Sequence, residues 1–204
     1  MVSEFQPFLM ERWMSKFEQN VEYNLSESGV HPIRLDELLA DEPGYIYQLL
    51  STELNYPHVN GDPELRRNIA NLYDNASPEN VLVTVGAAEA NYITTRTLLD
   101  PGDEIVVMLP NYMQIWGIAK NHGYRMKTFH LREESGWAPD LAELSENVTA
   151  KTKLIAVCNP DNPTGRALTT DEMEAIINQA DRVGAWILAD EVYAGAERLS
   201  DDQT

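Results

Sequence analysis

Basic residues are scarce in this sequence, and cysteine is nearly absent. Only 15 lysines and arginines stand against 33 aspartates and glutamates, for a net charge of −18. A field of that sign repels polyanions, which excludes nucleic acid and anionic membrane surfaces as partners. Any phosphate the chain binds must therefore be gripped by local donors. Cys158 is the single cysteine and permits no internal disulfide. Its apolar neighbours mark it as a buried thiol of a reducing compartment, so a cytoplasmic location is expected. No apolar run approaches the length needed to cross a bilayer, and the first residues lack the basic start and apolar stretch of a signal peptide. The expectation is a soluble protein. His31, His58, His122 and His130 show no metal-ligand spacing, so no metal site is expected. Repeats and low-complexity tracts are also missing.

What remains is a chain of 204 residues with 43% apolar content, enough for a substantial core. Its pattern is an alternation of short apolar runs and amphipathic stretches. VLVTV (81–85), IVVML from Ile105, residues 125–131, LIAVC (154–158) and AWILA (185–189) read as strands. Between them, helices are predicted after Gly86, over residues 112–121, near 141–146, and from Thr169, where Thr-x-x-Glu forms a capping-box pattern. Asp62-Pro63 opens another, with Leu65, Ile69, Leu72 and Tyr73 on one face.

Nearly uninterrupted apolar strands alternating with helices imply an α/β fold, a three-layer sandwich with a mostly parallel sheet covered on both faces. Residues 1–45 begin with an aromatic-rich, helix-like stretch and continue into an extended segment. They are read as an N-terminal arm with part of a small domain, and residues 46–204 as the large domain.

Ligands of such sheets bind beyond the carboxyl ends of the strands. Gly86, Tyr112, Asn162 and Asp190 all follow strand ends in this reading. The backbone of Gly86, Ala87 and Ala88 opens a helix and can hold an anion, although a glycine closing a strand more often marks a turn. Tyr112 can stack on a planar ring or simply pack. Asn162, in the proline-braced NPDNPTG loop, is either a hydrogen-bond donor to a ligand or a turn former. Asp190 is the sharpest signal. A carboxylate ending an apolar strand is costly to desolvate without a cation or donors, and a protonated pyridine nitrogen, a salt bridge or a helix cap would serve.

The motifs TVGAAEAN, LPNYMQIWG, NPDNPTG and ADEVY, in this order, resemble those of the fold type I pyridoxal-phosphate enzymes, the aspartate aminotransferase family of class I and II aminotransferases. The resemblance covers about residues 20–204. It implies pyridoxal 5'-phosphate as cofactor and an amino acid and a 2-oxo acid as substrates. By the same resemblance, the backbone of Ala87 and Ala88 holds the cofactor phosphate, Tyr112 stacks on the pyridine ring, and Asn162 and Tyr193 bond its phenolic oxygen. Asp190 pairs with the pyridinium as the catalytic carboxylate. Tyr56, in YPHVNGDPELRRNIA, is implied to reach the phosphate of a neighbouring subunit, which makes a homodimer the expected assembly. Gly29, in SESGVHP, is implied as a substrate contact.

The wording of that last segment is closer to a subgroup that includes capreomycidine synthase, which catalyses a cyclising replacement. A lyase or cyclase of that type is therefore an alternative, as is a noncatalytic cofactor-binding or dimerisation module. The family's cofactor-linking lysine is expected a few dozen residues after ADEVY. Lys16, Lys120, Lys127, Lys151 and Lys153 stand in no such context. The expectation is thus the N-terminal part of an enzyme, inactive alone.

Overall fold

The computed structural model describes residues 5–30, 32–42 and 44–196. His31 and the outermost residues of both predicted divisions lie outside this set. Two compact units emerge: residues 5–22 with 85–196, and residues 23–84. The predicted boundary near residue 45 falls inside the second.

The first unit is built on a five-stranded sheet in the order β3-β2-β1-β4-β5. Its strands are β1 (Glu104–Leu109), β2 (Arg125–Arg132), β3 (Ala138–Pro139), β4 (Thr152–Cys158) and β5 (Trp186–Asp190). The pairs β1/β2, β1/β4 and β4/β5 are parallel, and only the short β3 runs antiparallel, along β2. The helices in chain order are α1 (Leu9–Phe17), α2 (Leu35–Leu38), α3 (Gly44–Leu50), α4 (Pro63–Ala70), α5 (Gly86–Leu98), α6 (Gln114–His122), α7 (Leu141–Asn147) and α8 (Thr170–Val183).

Side chains alternate across a strand, so an uninterrupted apolar run feeds two cores at once. Val106 and Met108 of β1, with Ile155 and Val157 of β4, pack on one face against Leu144 of α7 and Ile176 of α8. Ile105 and Val107, with Leu154 and Ala156, turn to the other face and meet Ile115 and Ala119 of α6. Every one of these residues is nearly or wholly buried. At about 1.5–3 kcal/mol for each large aliphatic side chain removed from water, these two layers dominate the unit's stability. The three-layer, mostly parallel α/β architecture expected from the pattern is thus present.

Local signals set the helix starts. Thr169 accepts from Glu172 N while the Glu172 carboxylate accepts from Thr169 N, closing the capping box that opens α8. Asp62 accepts from Glu64 N and Leu65 N at the start of α4.

One expectation fails. VLVTV forms no strand among the described residues, and α5 follows it directly at Gly86. β-branched residues favour an extended backbone, but a strand also needs a hydrogen-bonding neighbour. Here Val83 N donates to Asn60 O, within a loop of the second unit. In that unit Arg66 of α4 donates to the carbonyls of Val81 and Pro78, and Ala70 is the one buried residue among those described.

Candidate functional site

β1, β4 and β5 are parallel, so their carboxyl ends open on one side of the sheet. Asp190 closes β5 in register with Cys158 at the end of β4, and Asn159 N donates to Asp190 O just beyond. The Asp190 side chain belongs to a residue only 8% exposed. Its Oδ2 accepts from Asn91 Nδ2 at 2.7 Å and its Oδ1 from Val192 N at 3.2 Å. Both described donors are neutral. A carboxylate so buried gains most from a cation brought to its remaining lone pairs.

The loop after β4 is held by its own bonds. Asp161 N donates to Arg166 O, Gly165 N to Asp161 O, and Thr164 Oγ1 to Asp161 Oδ2 at 2.6 Å. Burial raises the Asp161 carboxyl above its ordinary range, against the hydrogen bonds from Thr164, and its Oδ1 has no partner among the described residues. This bracing presents Asn162, whose Nδ2 lies 3.3 Å from Tyr193 Oη.

From the end of β1, Tyr112 donates its hydroxyl to Glu11 Oε1 at 2.7 Å, and its ring lies 5.2 Å from that of Phe8 at a 56° tilt. Burial pushes the phenol well above its usual range, and the charges of Glu11 and Asp190 act in the same direction. Tyr112 is therefore a neutral aromatic surface. Burial likewise pushes the Cys158 thiol up to about 12. Its Sγ donates to Pro160 O, so it is an inert core group with no thiolate to offer.

Gly86 begins α5 with φ of +77°, a conformation in which a side chain is strained. Space is open where a Cβ would stand. Ala87 and Ala88 sit in the first turn, where no helical carbonyl precedes their N–H groups. Glu89 returns its carboxylate to Val85 N at 2.5 Å, just ahead of that turn. Gln114, at the start of α6, donates to Ala88 O at 2.7 Å and accepts from Asn91 at 3.2 Å. The helix opening, the start of α6 and Asp190 are thereby joined.

Tyr56 and Gly29 belong to the other unit. Tyr56 is fully exposed, and Gly29 N donates to Glu27 Oε1. Among the described residues no group of His, Cys, Asp or Glu is arranged to hold a metal, and no helix is long and apolar enough to cross a membrane.

Sequence reasoning missed Asn91 and Gln114; it placed Asn111 beside Tyr112 at a strand end, and the buried Oδ1 of Asn111 has no partner among the described residues. The one available signal was an amide, Asn91, at a core-facing position of an otherwise ordinary helix.

A mostly parallel sheet between helix layers, with the start of α5, Tyr112 and the buried Asp190 carboxylate following its strands, is the architecture of an α/β protein that takes ligands beyond its strand ends. Residues 35–202 match the family "Aminotransferase class I and II", and the chain belongs to it. The probable aspartate aminotransferase of Methanocaldococcus jannaschii is 31% identical over 84% of this chain and 48% of its own length. A PLP-dependent aminotransferase from Streptococcus suis superposes with a TM-score of 0.87 at 33% identity, over 92% of this chain and 51% of the other. The PLP-dependent cyclase OrfR superposes at 0.80 with 26% identity, over 91% and 49%. The chain spans about half the length of these relatives.

Proposed function

We propose that the chain is the cofactor-binding part of a pyridoxal-phosphate-dependent aminotransferase acting on an amino acid and a 2-oxo acid. The observation that carries this reading is Asp190, a buried carboxylate whose donors among the described residues are both neutral. A cationic ring nitrogen is the complementary partner. The open space at Gly86, the Asn162–Tyr193 pair and the neutral ring of Tyr112 suit the phosphate, the phenolic oxygen and the ring face in turn.

Bound pyridoxal phosphate supplies an electron sink for the substrate's Cα. The first turn of α5 holds the phosphate, Tyr112 orients the ring, and Asn162 and Tyr193 donate to the phenolic oxygen. Asp190 keeps a proton on the ring nitrogen. Tyr56 is proposed to reach the phosphate of a second subunit in a homodimer, and Gly29 to touch substrate. The OrfR superposition favours, as a second reading, a cyclase acting on an amino acid.

Equilibrium dialysis tests the cofactor reading. Saturable binding of pyridoxal phosphate, competed by inorganic phosphate and weakened about tenfold or more in Asp190→Asn, is expected. A chain that takes up no cofactor above its phosphate affinity, or an Asp190→Asn variant that binds as well, would sink it.

A further inference from the structure

We infer that Asn91 is a positioning residue that fixes the Asp190 carboxylate for the cofactor ring nitrogen and, through Gln114, ties it to the phosphate cradle. The inference rests on the cofactor reading above and goes beyond it to residues outside the predicted contact set.

An asparagine facing the core of a helix–sheet interface is costly. It forms helices poorly, and a buried amide must find partners for its polar groups. Asn91 is 5% exposed, and both of its described side-chain bonds are functional in direction. Nδ2 donates to Asp190 Oδ2 at 2.7 Å and to Gln114 Oε1 at 3.2 Å, which occupies its two hydrogens. Gln114 then donates to Ala88 O at 2.7 Å, in the turn assigned to the phosphate. The carboxylate and the cradle are the two ends of the ligand in that assignment. Two amides of fixed length join them, so they set the span between the ends.

The bond to Oδ2 also has an electronic effect. Held in one place, the carboxylate favours the charged form of a cation set beside it, here the protonated ring nitrogen. The titratable groups that feel the Asp190 charge are Tyr112 from the β1–α6 loop and Cys158 from β4. Tyr193 and Asp161 lie next to these in turn, and burial keeps Cys158 and Tyr112 protonated. Asn91 is the one side-chain donor to that carboxylate among the described residues.

The test titrates the chain with ring-15N pyridoxal phosphate and follows the nitrogen chemical shift against pH, with inorganic phosphate affinity measured in parallel. Asn91→Leu, close in shape but without the donor, should lower the midpoint of ring-nitrogen protonation by about one pH unit while phosphate affinity stays within about twofold. Gln114→Met, at a half-buried position, should move the midpoint in the same direction by less. If the unaltered chain does not bind the cofactor, the functional reading and this inference fall together. If it binds with a protonated ring nitrogen and neither variant moves the midpoint, only the inference is overturned. Should Asn91→Leu not fold, an unmoved midpoint in Gln114→Met suffices to overturn it.

Discussion

At the scale of single residues, the site depends on positions where a side chain would be a fault. Gly86 takes φ of +77° with nothing within 4 Å of the place a Cβ would occupy, so its constraint is the backbone alone. Gly86→Ala is expected to destabilise the chain by roughly 1–2 kcal/mol, the cost of forcing an L-residue into that region. Gly117, inside α6, also has open space where a Cβ would stand but has no positive φ. Gly117→Ala should instead stabilise by about 0.5–1 kcal/mol through helix propensity. Denaturant midpoints of the two variants should therefore move in opposite directions, and a shared direction would remove the conformational argument. Asp190 illustrates the complementary principle: its burial is tolerated because two donors already satisfy it, and it remains open to a third.

Elements are where sequence and structure agree best. The capping box at Thr169 stands apart from the site, so its loss reads only the element: Thr169→Ala should cost about 1 kcal/mol in stability, and restoring Ser there should recover most of it. A variant as stable as the parent would mean that Glu172 alone carries the helix start. β1 and β4 were legible because strands buried on both faces leave continuous apolar runs, and α8 because its cap and periodicity coincide. VLVTV carried the same signal yet has no ladder partner, since pairing depends on a neighbour that propensity does not specify. The two-residue β3 was too short to leave a pattern. Tyr112, Asn162 and Asp190 stand at or a few residues past the ends of β1, β4 and β5. The bond between Asn91 and Asp190 joins positions 99 residues apart and left no local trace.

At the scale of the whole molecule, the distribution of lysines decides what chemistry the chain can perform on a bound aldehyde. Lys127 is committed to the far end of the sheet, where its Nζ lies 3.3 Å from Glu104, the first residue of β1, and donates to Asn147 O. Lys153 sits near the start of β4, five residues before Cys158, or about 16 Å along the strand from the end that faces Asp190. Lys151 lies further back in the same turn. Lys120 occupies the last turn of α6 with its ammonium over the Trp116 ring, and Lys16 the last turn of α1 over Phe17. None stands with Asn162, Tyr193 and Asp190. Pyridoxal phosphate should accordingly bind this chain reversibly: dialysis should strip it, and borohydride reduction followed by peptide mass mapping should find no stoichiometric adduct at any single lysine. Asp190→Asn should weaken the reversible binding without changing the mapping result, because the carboxylate grips the ring and offers no amine. A specific adduct on one of the five lysines, protected by inorganic phosphate, would show that the chain carries its own covalent anchor and would overturn the expectation of reversible binding.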